Sequence, residues 1–157
     1  MNESTLDGRL VILGCGNIHY GDDCFGCKVA AILKKDIRPL PKGVRIIDAG
    51  TGGPRLVNLL NSLPDPPDII IIDTGHQGKD AGELSVIEKT GVYEKTESGT
   101  SHTLRPESVL DGYRGKCTLI LCEPHDTSFG TSDGTRLKEP IEKAASIVKR
   151  MIEESCL

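Results

Sequence analysis

Aromatic side chains are scarce in this sequence, at 3% of residues with three Tyr, two Phe and no Trp, too few for a base-stacking platform. Positive charge is not in excess either. The formal net charge is -4, which argues against nucleic acid or an anionic membrane as a partner. No apolar run approaches the ~20 residues that span a bilayer. Residues 1–8 also lack the positive start and apolar core of a signal peptide, so a cytoplasmic protein with no membrane contact is expected. A His-Glu-x-x-His helix is missing, which removes the common zinc-protease template.

What is present suits one domain over residues 1–157, long enough to bury roughly 70% of the surface its unfolded chain exposes. Six cysteines do not imply a disulfide framework, because Cys15, Cys117 and Cys122 lie in or beside apolar runs where thiols behave as small hydrophobes. Reduced thiols are the simpler expectation. The chain shows no internal repeat, no low-complexity tract and no linker that would divide it.

The most informative stretch runs from Leu10 to Gly26. Val11, Ile12 and Leu13 read as a strand buried on both faces, and Gly14 and Gly16 end it in a turn. Such a turn suggests a dinucleotide site, but His19 stands where the third glycine of that fingerprint would be. Asp22 and Asp23 also place negative charge where a phosphate would sit. Carboxylates in this position suit a cation or acid–base chemistry better.

Further along, apolar residues at 25, 29, 32 and 33 predict a first helix over Phe25–Ile37, ended by Pro39 and Pro41. Val44–Ile47 predicts a second strand closed by a glycine-rich turn beginning at Asp48. Pro54 then suits the first turn of a helix carrying Leu56, Val57, Leu59, Leu60 and Leu63. Asp68–Asp73 is the most buried-looking strand. Glu83–Glu88 predicts an edge strand, 91–102 a polar loop, and Pro106–Leu110 a brief helix. Cys117–Cys122 predicts the last strand, and positions 141, 144, 145, 148 and 152 stripe a closing helix over Leu137–Ile152. This alternation predicts an α/β fold: a three-layer α/β/α sandwich with about four helices flanking a mostly parallel, twisted, five-stranded sheet. Functional groups on such a sheet gather at the carboxyl ends of the strands, where Asp48 and Asp73 both fall.

Each candidate also has a plain structural explanation. Asp22 and Asp23 are adjacent and point apart, Asp22 being the better candidate for a helix cap; both acids could serve only as caps. Asp73 at a strand end is either satisfied by turn N–H groups or used chemically. Asp48 fits an Asx-turn as well as a supporting role behind the site. His102 stands in a polar stretch as either a solvated loop histidine or a ligand, and His19, His76 and His125 are equally ambiguous. Cys24-x-x-Cys27 could be a redox pair, but the neighbouring aspartates raise thiol pKa values and oppose that role.

Gly14-Cys-Gly-Asn17, Gly21-Asp-Asp-x-Phe-Gly26, Asp48-Ala-Gly-Thr51, the strand ending at Asp73 and His102, taken in this order, resemble the hydrogenase maturation endopeptidases. The resemblance covers nearly the whole chain. It implies an endopeptidase that removes the C-terminal extension of a nickel-iron hydrogenase large-subunit precursor after nickel insertion. It further implies that Asp23, Asp73 and His102 are both the catalytic and the metal-contacting residues, and that nickel arrives with the substrate. Imidazole and carboxylate donors suit nickel, and three of them leave positions open for substrate or water. Cys24 departs from the family pattern, which often has glycine there. The rival readings are a nucleotide-binding module, with Asp48 placed as a ribose-binding acid, and a non-catalytic hydrogenase assembly factor.

Overall fold

A computed structural model describes residues 9–88, 112–131 and 135–156. Strand β1 (Leu10–Cys15) opens the fold and is buried along its whole length. A two-residue strand β2 (Tyr20–Gly21) and a 3-10 turn (Asp22–Cys24) lead into helix α1 (Phe25–Asp36). Strand β3 (Val44–Gly50), helix α2 (Gly53–Asn61) and strand β4 (Asp68–Thr74) follow. The described chain then contributes strands β5 (Leu84–Glu88), β6 (Cys117–Cys122) and β7 (Gly130–Thr131). It ends in helix α3 (Lys138–Ser155).

The main sheet has the order β3-β1-β4-β6-β5, parallel throughout except for the edge strand β5, which runs antiparallel to β6. Side chains on a strand alternate between faces. Even-numbered Ile12, Ile46, Ile70, Ile72 and Ile120 therefore pack against Phe25, Val29 and Leu33 of α1 and Ile141, Ala144 and Val148 of α3. Odd-numbered Val11, Leu13, Ile69, Ile71 and Leu119 pack against Leu56, Val57 and Leu60 of α2 and against Tyr113. Each of the large aliphatic residues buried in this way contributes ~2 kcal/mol of hydrophobic stabilisation. The expected three-layer α/β/α sandwich on a mostly parallel five-stranded sheet is the observed architecture.

Several details differ from the sequence reading. Strand β3 runs on to Gly50, so Asp48 lies inside the sheet rather than at the head of a turn. The parallel pair β2–β7 has no counterpart in the sequence reading, since two-residue strands leave no periodic signal. The predicted loop 91–102 and the brief helix at Pro106–Leu110 lie outside the described residues.

The winding positions the site. From β1 the chain reaches β3 on one side through α1, and from β3 it crosses through α2 to β4 on the other side of β1. The carboxyl ends of β1 and β4 therefore flank a topological switch point, where doubly wound sheets have their open crevice.

Candidate functional site

Glycines bring the acidic turn down onto this crevice. A side chain at Gly26, in the first turn of α1, would run into the carbonyl oxygens of Cys15 and Ile72, at the ends of β1 and β4. One at Gly16 (φ +141°) would meet the carbonyl of Asp23. The helix start is thus packed directly on strand backbone, with Asp22 and Asp23 beside it. That packing and charge disfavour the phosphate cradle of the nucleotide-binding reading.

Asp23 is partly buried and held from two sides. Its Oδ1 accepts a hydrogen bond from Thr74 Oγ1 at 2.7 Å, and its Oδ2 accepts one from the Asn17 N–H at 3.1 Å. The Asn17 N–H also points at the Asp23 carbonyl, 3.1 Å away, which closes the loop on itself. Asp73 is 6% exposed, and its Oδ1 accepts from the Thr74 N–H at 2.8 Å. Burial, and next the negative charge of Asp23, push the Asp73 carboxyl up to about 7. Thr74 joins the two acids, donating through its backbone to one and through its hydroxyl to the other. The structure therefore brings Asp23 and Asp73 together at the switch point, one fixed by hydrogen bonds and the other retaining a proton near neutrality. Such a pair can exchange a proton or accept a cation that relieves their repulsion.

His102 lies outside the described residues. Among the described residues no group of three or more His, Cys, Asp and Glu side chains is placed to hold a metal ion. Two carboxylates are therefore the described part of the expected three-donor set.

Asp22 does not cap α1, which begins without a side-chain cap. Its side chain is fully buried, and its Oδ2 accepts from the N–H groups of His125 (2.8 Å) and Asp126 (3.3 Å). Its own N–H donates to the Asp126 carbonyl at 2.8 Å. The 3-10 turn aims this carboxylate across the crevice at the segment after β6, and these bonds fasten the two together. Among the described residues, Oδ1 of Asp22 has no hydrogen-bond partner.

Asp48 is exposed and lies within β3 rather than at the head of the expected Asx-turn, and the nearby Cys27 thiol donates to the Gly16 carbonyl at 3.9 Å. Burial, then Asp48, push that thiol up to about 12. The Cys24 thiol is also raised, mainly by burial, and so is Cys15. A reactive Cys-x-x-Cys pair needs the opposite shift. All six cysteines are among the described residues, and no disulfide joins any two of them.

Three contributors were missed by the sequence reading. Thr74 and Asn17 orient Asp23, and Glu123, just past the end of β6, is 8% exposed. Glu123 Oε2 accepts from the Gln77 N–H at 2.7 Å, while Oε1 stands 3.7 Å from Nδ1 of the exposed His76. Glu123 had the same signal as Asp73, an acid ending an apolar run. His19 and His125 are exposed, and hydrogen bonds involve their backbones: the His19 carbonyl accepts from Gly130 and the His125 N–H donates to Asp22.

Fold and site together define a doubly wound α/β protein with paired carboxylates at its switch point. The sequence profile of the hydrogenase maturation proteases matches residues 27–155, and the chain belongs to that family. Coenzyme F420 hydrogenase subunit delta of Methanothermobacter thermautotrophicus is 31% identical over 153 residues, which span 93% of either chain. Among solved structures, the NiFe hydrogenase maturation protease HycI from Thermococcus kodakarensis superposes with a TM-score of 0.71 at 25% identity, covering 96% of this chain and 97% of that one. The hydrogenase maturating endopeptidase HybD from E. coli superposes at 0.70 and shares the fold at 24% identity, covering 94% and 93%.

Proposed function

We propose that this protein is a cytoplasmic endopeptidase that removes the C-terminal extension of a nickel-iron hydrogenase large-subunit precursor once nickel has been inserted. The observation that carries the reading is the coupling of Asp23 and Asp73 through Thr74 at the switch point of a maturation-protease fold. Asp23, Asp73 and His102 engage the nickel that the precursor brings, so the metal belongs to the substrate and its presence marks a precursor ready for cleavage. Two carboxylates and an imidazole leave coordination positions open for the scissile carbonyl or a water. Cleavage follows either by polarisation of that carbonyl at the metal or by a carboxylate taking a proton from the attacking water.

Asp73→Asn tests this, because the amide keeps the size of the side chain while removing both its charge and its proton chemistry. Mass spectrometry of a co-expressed precursor is expected to show the shortened C-terminus with the native protein and full length with the variant. Normal processing by the variant would remove Asp73 from the site.

A further inference from the structure

Of the four described aromatic residues, Phe25 and Tyr113 are buried, while Tyr20 and Phe129 are 42% and 80% exposed. The two exposed rings meet edge to face, with centroids 5.6 Å apart and planes at 75°. Ile18, 53% exposed, precedes Tyr20 by two residues on the same loop. Among the described residues, the other exposed large apolar ones, Leu59 on α2 and Val86 on β5, are single side chains on separate elements and need no special account. A chain with so few aromatics has placed two of them in water, against each other.

Their location ties them to the acids. Tyr20 and Phe129 ride on the two arms of the β2–β7 pair, joined where Gly130 N–H donates to the His19 carbonyl at 2.7 Å. The first arm is anchored at its base by Asn17, whose N–H donates to the Asp23 carboxylate. The second is anchored by His125 and Asp126 on the Asp22 carboxylate, and stiffened by Ser128 N–H donating to Asp126 Oδ1 at 2.8 Å. The patch is therefore a preformed shelf continuous with the crevice.

We infer that Ile18, Tyr20 and Phe129 form the docking shelf for the precursor polypeptide, receiving an apolar side chain of the extended segment next to the bond to be cut. The inference rests on the proposed endopeptidase reading and adds to it where the substrate chain lies. An endopeptidase must hold its chain beyond the reacting bond, and contacts made there equally with substrate and transition state lower KM without raising kcat. Aromatic anchors in a small apolar patch are suited to that task. Charge agrees with this occupant: Asp23 stands at the base of one arm and the exposed Asp126 on the other, complementary to a segment that delivers a metal cation. Three side chains cannot supply the ~800 Å² per partner typical of a stable protein dimer, which argues against a second copy of this chain as the occupant.

The test is the kinetics of C-terminal cleavage of nickel-loaded precursor by the native protein and by Phe129→Ala, Tyr20→Ala and Leu59→Ala. All three positions are exposed, so folding is expected to be retained, and melting curves check it. The two shelf variants are expected to raise KM about tenfold with kcat held within about twofold, while Leu59→Ala changes neither. Unchanged KM in both shelf variants, or a loss confined to kcat, would overturn the docking shelf and leave the endopeptidase reading standing. Sedimentation showing a native dimer that Phe129→Ala dissociates, with unchanged KM, would assign the patch to self-association and overturn the shelf. If the native protein binds precursor without cutting it, the endopeptidase reading fails. Direct titration of labelled precursor then decides the shelf, with about tenfold weaker binding by Phe129→Ala supporting it and equal binding refuting it.

Discussion

Asp73 is where chemistry and stability oppose each other. Its folded-state pKa of about 7 lies above the ordinary value of 3.8, because burial and the nearby Asp23 disfavour its charge. The folded state therefore holds a proton that the unfolded chain releases, and the stability linked to it is lost as pH rises from about 4 to about 7. The loss amounts to as much as about 4 kcal/mol. Asp73→Asn removes that dependence. Urea unfolding at pH 7.5 is expected to show the variant more stable than the native protein, with the two curves converging near pH 4. A variant that is less stable at pH 7.5 would contradict the account. A residue that destabilises the fold through an unfavourable charge is what a site kept for function would contain.

At the scale of elements, helix α1 shows how a glycine-bearing sequence becomes a site. Gly26 lets the first turn of the helix lie on the carbonyls of Cys15 and Ile72, and both blocking groups are backbone that cannot move aside cheaply. Gly26→Ala is expected to destabilise the protein by about 3 kcal/mol, read as a lower urea midpoint, because the helix must lift from two strands at once. A change within ~0.5 kcal/mol would show that the helix start does not need that contact. The long elements were legible because burial imposes a period on the sequence. Ile69–Ile72 and the stripe through 141, 144, 145, 148 and 152 gave their strand and helix directly. Pairings set by tertiary geometry were not legible. The β2–β7 pair is too short for a pattern, and the fastening of Asp22 to residues 125 and 126 joins positions more than 100 apart.

For the whole molecule, the strand order β3-β1-β4-β6-β5 makes the site, because it places the ends of β1 and β4 side by side with the acidic turn between them. That Asp23 and Asp73 meet could be expected from strand-end placement and family resemblance together. The part played by Thr74 could not, since a threonine at a strand end carries no signal of the acid it will bridge. The net charge of -4 and the acids around the crevice agree in sign with a partner that brings a metal cation. The measurement that tests the central claim most directly is intact-mass spectrometry of nickel-loaded and nickel-free precursor, each incubated with this protein. The account predicts loss of the C-terminal extension from the nickel-loaded form alone, and equal processing of both forms would contradict it.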